Sequence, residues 1–380
     1  MKRIIPLLIL LGIFPDIYVW AMYLDEMSTP FRWLHWLPSA VLLMSVAWVN
    51  LVSYSKKLLR LFFFLVLCIG IPKVIFATFS CVGNLCGYAA IGDALGLTLS
   101  GIALLCFAYG LIWGWRHVVV KRTTIVSADL PDAFDGYRIA QITDIHAGSF
   151  AMSTETLRKM VRLANKNHPD VILFTGDLVN TSPYELDPFD NILSSLRAPD
   201  GVYSVLGNHD YCCYARRHDA DSQLKSLREL IARQKMYGWR LLRNENVVIG
   251  RGDDEIAIIG VENEGKPPFP AYADLPKAMD GTERCAFRIL MSHDPSHWHR
   301  EILPESDIQL TLSGHTHAAQ LKIGHFTPAR FVYSEWGGLY KEDDRFLYVS
   351  DGIGGTFPFR FGAWPTVEII TLKKKRSSGA

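Results

Sequence analysis

The stretch YRIAQITDIH, residues 137–146, decides how the second half of the chain is read. Arg138–Ile142 is a short run without strict polar alternation, as expected of a strand covered on both faces. It runs into Asp144 and His146, two side chains able to hold a metal ion. The same plan recurs downstream. VILFTGD (171–177) delivers Asp177, and VYSVLGNHD (202–210) delivers Asn208, His209 and Asp210. FRILMSHD (287–294) delivers His293, and IQLTLSGHTH (308–317) delivers His315 and His317. Between the first two runs, TETLRKMVRLANKNHPD (154–170) predicts a helix with Ser153 or Thr154 as N-cap and Pro169 past its end. In open α/β sheets, sites form beyond the C-terminal ends of the strands, and each of these strands ends in a donor.

The donors fit one chemistry. Asp144, His146, Asp177, Asn208, His293, His315 and His317 offer oxygen and nitrogen and no thiolate, which suits Mn, Fe or Zn. Seven donors exceed the need of one tetrahedral ion and suffice for two if one carboxylate bridges. Two ions about 3.5–4 Å apart clamp a phosphoryl group and supply a metal-bound hydroxide at neutral pH.

The ordered set DxH, GD, GNHD, H and GHTH resembles the calcineurin-like metallophosphoesterase family over about Tyr137–Leu372. LYVSDGIGGTFPFRFGAWPTVEIITL (347–372) is similar to its membrane-associated bacterial branch. The resemblance implies an α/β fold, a four-layer αββα sandwich of two face-to-face sheets with helices outside. It places Asp144, His146 and His317 on one divalent ion, Asn208, His293 and His315 on the other, and Asp177 between them. It makes His209 the unligated acid that protonates the leaving oxygen, with Asp210 orienting its imidazole. A ligated nitrogen could not carry that proton. After GHTH the branch has GGQ, whereas this chain has Ala318, Ala319 and Gln320, a departure that bears on the substrate and not on ligation.

Other residues compete for roles. Arg360, in GGTFPFRFG (354–362), is a candidate phosphate contact. EWGGLY (335–340) and GGTFPFRFG read as hairpins or as pocket lining. His168 reads as a helix-end residue, His297 and His299 as surface or substrate contacts, and His325 as part of a β-turn. Cys212 and Cys213 read as buried, inert thiols.

The first third of the chain is different in kind. Four apolar blocks, roughly Ile4–Leu24, Trp33–Tyr54, Leu58–Phe79 and Ala90–Trp115, reach the length of about 20 residues that a membrane span needs. Pro15 and Asp16, and the lack of a small-residue cleavage site, argue against a signal peptide in the first block. The expected plan is an all-α transmembrane domain of four helices (1–120), a connector (121–136), the hydrolytic domain (137–372) and a disordered basic tail (373–380). Lys2, Arg3, Lys56, Lys57, Arg60, Arg116, Lys121 and Arg122 flank the spans on one side, while the other loops carry only Arg32. That asymmetry predicts a multi-pass inner-membrane protein with its hydrolytic domain in the cytoplasm. Cys81 and Cys86 then face outside, where a disulfide could form. Asp16 and Lys73 each follow a proline and each lie 13 residues beyond a basic residue, Arg3 and Arg60, which predicts an ion pair between the first and third spans.

The expected function is a membrane-anchored two-metal phosphoesterase acting on a phosphodiester or pyrophosphate, with the bilayer and a lipid-linked phosphoester as partners. A nucleotide-linked glycolipid of the UDP-diacylglucosamine kind or a phospholipid would fit. The rivals are a phosphodiesterase of soluble nucleotides and a non-catalytic metal-binding membrane sensor. A formal net charge of +1 points away from a nucleic-acid polymer.

Overall fold

The apolar blocks at the start of the chain fold as helices, in a unit Met1–Ile112 distinct from Trp113–Ala380. The computed structural model describes residues 4–25, 27, 29–51, 56–149, 153–214, 220–267, 269–355 and 357–376. The first unit holds α1 (Ile4–Tyr23), α2 (Thr29–Leu34), α3 (Leu37–Leu51), α4 (Lys56–Leu65), α5 (Ile71–Leu85) and α6 (Ala89–Ile112). A π-helical turn at Val66–Gly70 joins α4 to α5 just ahead of Pro72, which lacks the N–H a plain helix would use there.

Two helices among the described residues, Arg60–Leu85 and Ala89–Arg116, are long and apolar enough to cross a membrane. The expected second span, Trp33–Tyr54, holds the end of α2 and all of α3. Pro38 lies in the first turn of α3, which has 15 residues and measures about 22 Å. Residues 52–54 of that block, and Arg3 ahead of the first, lie outside the described residues. The third span runs past Phe79 to Leu85, so Cys81 is helical rather than in a loop, and Cys81 and Cys86 are free thiols. The expected ion pair is present, with Lys73 Nζ 2.6 Å from Asp16 Oδ1. His35 adds a third member, its Nε2 3.1 Å from the same oxygen.

The second unit is built on β1 (Val119–Ser127), β2 (Arg138–Ile142), β3 (Val171–Phe174), β4 (Val202–Ser204), β5 (Arg240–Leu241), β6 (Glu245–Arg251), β7 (Asp254–Gly260), β8 (Phe287–Met291), β9 (Leu310–Ser313), β10 (Gly338–Glu342), β11 (Arg345–Val349) and β12 (Thr366–Lys374). One sheet has the order β1-β12-β2-β3-β4-β5 and the other β10-β11-β9-β8-β7-β6. β2 to β5 are parallel, as are β7, β8, β9 and β11, so the strands that carry the motifs end on one side of their sheets.

Alternation along each strand sorts the side chains into layers. Ile139, Leu173 and Tyr203 meet Ile258, Ile289 and Leu312 between the sheets. Ala140, Ile172 and Phe174 turn outward onto Leu157, Met160 and Ala164 of the helix Glu155–Lys166. Ala257, Ile259 and Leu290 of the other sheet pack on Leu275, Ala278 and Trp298. The four-layer α/β sandwich follows from these three cores. Thr154 precedes the expected helix, but its side chain makes no capping bond.

Two boundaries shift. The stretch expected as a connector, 121–136, contains most of β1, which pairs in parallel with β12 as an edge of the first sheet. Its Lys121, Arg122 and paired threonines disguise it as linker, because an edge strand tolerates charge. β12 continues through Lys374, so the first two residues of the expected tail are strand, and Lys374 N–H donates to Asp135. Residues 377–380 lie outside the described residues.

Candidate active site

The seven donors converge. His146 Nε2 lies 3.2 Å from His317 Nε2, 3.5 Å from Asp177 Oδ2 and 3.9 Å from Asp144 Oδ1, and His317 Nε2 lies 3.6 Å from Asp144 Oδ1. In a second group, His293 Nε2 lies 3.2 Å from Asp177 Oδ2 and 3.3 Å from His315 Nδ1. His315 Nδ1 in turn lies 2.8 Å from Asn208 Oδ1. One oxygen, Asp177 Oδ2, therefore faces both groups. Lone pairs of imidazole and carboxylate at such distances repel unless a proton or a cation sits among them. The residues fit divalent ions: Asp144–His146–His317 and Asp177–His293–His315 each bring three donor atoms within 4.8 Å of one another.

The backbone is bent to achieve this. Asp144, His146, Asp177, His315 and His317 all have positive φ, between 46° and 72°, a region costly to non-glycine residues. Glycines of one motif seat the ligands of the next. A Cβ on Gly207 would lie 2.3 Å from Asp177 Oδ1, and one on Gly314 would lie 2.3 Å from Asp144 Oδ2. Gln141, between the sheets, ties them together by donating to Thr175 Oγ1 and to Ser313 O.

Each donor is oriented from behind. His293 Nδ1 pairs with Thr175 O at 2.8 Å, which leaves Nε2 for a ligand. His315 Nε2 meets Tyr333 Oη at 2.8 Å, and Asn208 Nδ2 donates to Tyr214 Oη, turning Oδ1 inward. Asp144 accepts from His315 N–H and Thr143 Oγ1. Burial drives His146 down to about 3, His315 down to about 4 and His317 well below its ordinary value. These three are thus held in the neutral form that can ligate. Burial also opposes charge on His293, yet Asp177 beside it pushes the imidazole up to about 10, and the same contact helps hold Asp177 well below the carboxylate range.

His209 stands with His146 and Asp177 in a third group of donors. Its Nδ1 pairs with Asn180 O at 2.7 Å, and its backbone N–H donates to Asp177 Oδ1. Asp210 does not take the orienting role expected of it. Its carboxylate accepts from the backbone N–H groups of Asp177, Leu178, Val179 and Gly207, and so fixes the loop that carries Asp177. Burial and Asp177 push the Asp210 carboxyl up to about 7, while the amide donors act in the opposite direction. The orienting carbonyl of Asn180 is itself set by Glu185, which accepts from Asn180 N–H at 2.6 Å and also from Gly148 N–H.

Arg360 is not placed to meet a phosphate. It is 1% exposed and donates to the carbonyls of Gly354, Asp351 and Ala363, with one nitrogen 3.3 Å from His317 Nδ1. Its charge serves the loop behind the site. His297 is buried, bonded to Ser292 and Glu301, and touches neither surface nor site. His299 is a surface residue paired with Glu335, His168 is exposed past its helix, and His325 sits in the turn between Ile323 and Phe326. Cys212 is buried as expected but Cys213 is exposed, and neither joins the donor groups. Gly338–Tyr340 lie in the β10–β11 hairpin. Tyr214, Tyr333 and Glu185 were not legible, since no spacing links them to a motif.

The fold and donor set define a hydrolase of phosphoric esters. The family model for calcineurin-like phosphoesterases matches residues 137–319. The chain is 31% identical over 263 residues to an uncharacterized metallophosphoesterase, YkuE, of Bacillus subtilis, covering 66% of this chain and 84% of the relative. It is 26% identical over 341 residues to a transmembrane protein with metallophosphoesterase domain from Danio rerio, covering 86% and 74% respectively. It is 25% identical over 332 residues to the UDP-2,3-diacylglucosamine pyrophosphatase LpxG of Chlamydia trachomatis, covering 72% and 96%. The chain belongs to the calcineurin-like phosphoesterase family.

Proposed function

We propose that this chain is a membrane-anchored phosphoesterase that works with two divalent ions and hydrolyses a phosphodiester or pyrophosphate bond in a lipid-linked substrate. The observation that carries the two-ion reading is Asp177 Oδ2, which faces His146 at 3.5 Å and His293 at 3.2 Å. Asp144, His146 and His317 would hold one ion, and Asn208, His293 and His315 the other, with Asp177 common to both. Ions bound there would supply Lewis acidity toward phosphoryl oxygens and an ionised water at neutral pH.

His209 does the protein's own proton chemistry. With Nδ1–H on the Asn180 carbonyl, its Nε2 is the atom that delivers a proton to the departing oxygen. Asp210 and Glu185 act one step back, on the loops that aim Asp177 and His209. The four-span anchor, with a cytoplasmic hydrolytic domain at the inner membrane, rests on the basic-residue asymmetry and on the two helices long enough to cross. The lipid-linked substrate is supported by that anchor and by the similarity to a relative named for a diacylglucosamine substrate.

The test uses the full chain in detergent. Metals are counted, and bis-p-nitrophenyl phosphate hydrolysis is compared with that of His209→Ala. Two ions per chain, and a variant that keeps them while losing about 10²–10⁴-fold in kcat, are expected. Two ions without turnover on any ester would give the site to a sensor instead.

A further inference from the structure

Beside the donor cluster, the segment Lys322–Val332 carries an apolar ridge that is exposed among the described residues. Ile323 is 60% exposed, Phe326 44%, Phe331 76% and Val332 71%. The residues form one patch. Ile323 and Phe326 pair across a tight turn, and the Phe326 and Phe331 rings stand 6.1 Å apart. The patch is firmly mounted, since Thr327 is buried and donates to Ala318 O at 2.6 Å. Lys322, His325 and Arg330 lie in the same segment, the last two exposed and Lys322 lying over the Trp336 ring, and no acidic residue occurs from His315 to Ser334. The next residue, Tyr333, bonds His315, and Phe269 stacks edge-on against the same imidazole. The ridge therefore continues into the aromatic rim of the site.

We propose that Lys322–Val332 is an interfacial docking element, which seats Ile323, Phe326, Phe331 and Val332 in the surface of an anionic bilayer. Aromatic and aliphatic side chains interspersed with cations are the composition that partitions into the headgroup boundary and favours anionic lipid. A bilayer is the occupant favoured by this charge pattern and by a chain with two helices able to cross a membrane. Docking there would bring the ester of a lipid to the rim at His315 without full extraction from the membrane. The inference rests on the reading of the chain as a membrane-anchored hydrolase of lipid-linked esters.

The test uses the full chain in nanodiscs of phosphatidylcholine with or without phosphatidylglycerol. Cys86 and Cys213 are replaced by serine, and Phe331→Cys carries an environment-sensitive fluorophore, with the same chain lacking the new cysteine as background. Should Phe331→Cys misfold, Ile323→Cys carries the probe. The expected result is a blue-shifted emission quenched by brominated acyl chains in the anionic discs. Lys322→Glu with Arg330→Glu should weaken that quenching by about fivefold per reversed charge. Water-like emission in both discs, with bis-p-nitrophenyl phosphate turnover intact, would overturn the docking element and leave the hydrolase standing. A signal that follows protein density rather than lipid would give the patch to a second copy of the chain and also overturn it. Quenching in a chain with no turnover on any ester would uphold docking while sinking the catalytic reading.

Discussion

At the scale of residues, the site is held by strain that the sequence partly discloses. After GHTH, where the resemblance to the membrane-associated branch implies two glycines, this chain has Ala318 and Ala319, with φ of 46° and 50°. Each pays a steric penalty of about 1–2 kcal/mol for the left-handed region. Ala319 is exposed, so Ala319→Gly loses no buried methyl and should raise stability by up to about 1 kcal/mol, read from denaturant midpoints. Glu185 presents a second case. Its substitution by Gln weakens the hold on Asn180 and, through it, on His209. We expect Glu185→Gln to lower kcat about tenfold with metal content unchanged, and to blunt the limb of the pH–rate profile that reports the acid. Loss of metal in the variant would assign Glu185 to ligand support instead.

At the scale of elements, the strand ends explain why so much of the site could be read from sequence. Asp144, Asp177, Asn208, His293, His315 and His317 each follow a short apolar run, and local pattern alone places them at the ends of parallel strands. What could not be read is long-range. Tyr333 and Tyr214 reach His315 and Asn208 from loops without periodicity, and β1 hides its pairing with β12 behind charged residues. Arg360 misled because a lone arginine near a phosphate site invites a ligand role, whereas here carbonyls take up its donors. The tight docking of neighbouring motifs gives another expectation. Gly207→Ala would drive a methyl into Asp177 Oδ1. The variant should retain its circular dichroism yet bind fewer than two ions and lose at least about 100-fold in kcat, as elemental analysis and ester assays would report.

At the scale of the whole molecule, the two sheets are joined by a buried carboxyl with its own pH response. Glu368 of β12 accepts from Tyr348 Oη of β11 at 2.7 Å and from Ser350 Oγ. Burial pushes it up to about 7, against the pull of Lys121. The folded state then holds the proton more tightly than the unfolded chain, whose carboxyl has the ordinary value of 4.5. Stability from this group is complete below pH 4.5 and is lost as pH rises through 7. Relative to wild type, Glu368→Gln should gain about 2–3 kcal/mol between pH 5 and pH 8, a difference measurable by denaturant unfolding at the two pH values. The pairing of β1 with β12 has a consequence of another kind. Val119 lies opposite Thr366 and Ser127 opposite Lys374, so the sheet's first strand waits for its last. On a ribosome, the apolar helices emerge and are available to the membrane well before that pairing can form. The edge strand β1 can therefore join its sheet only after β12 has been made, later than every strand that carries a metal-ligand candidate.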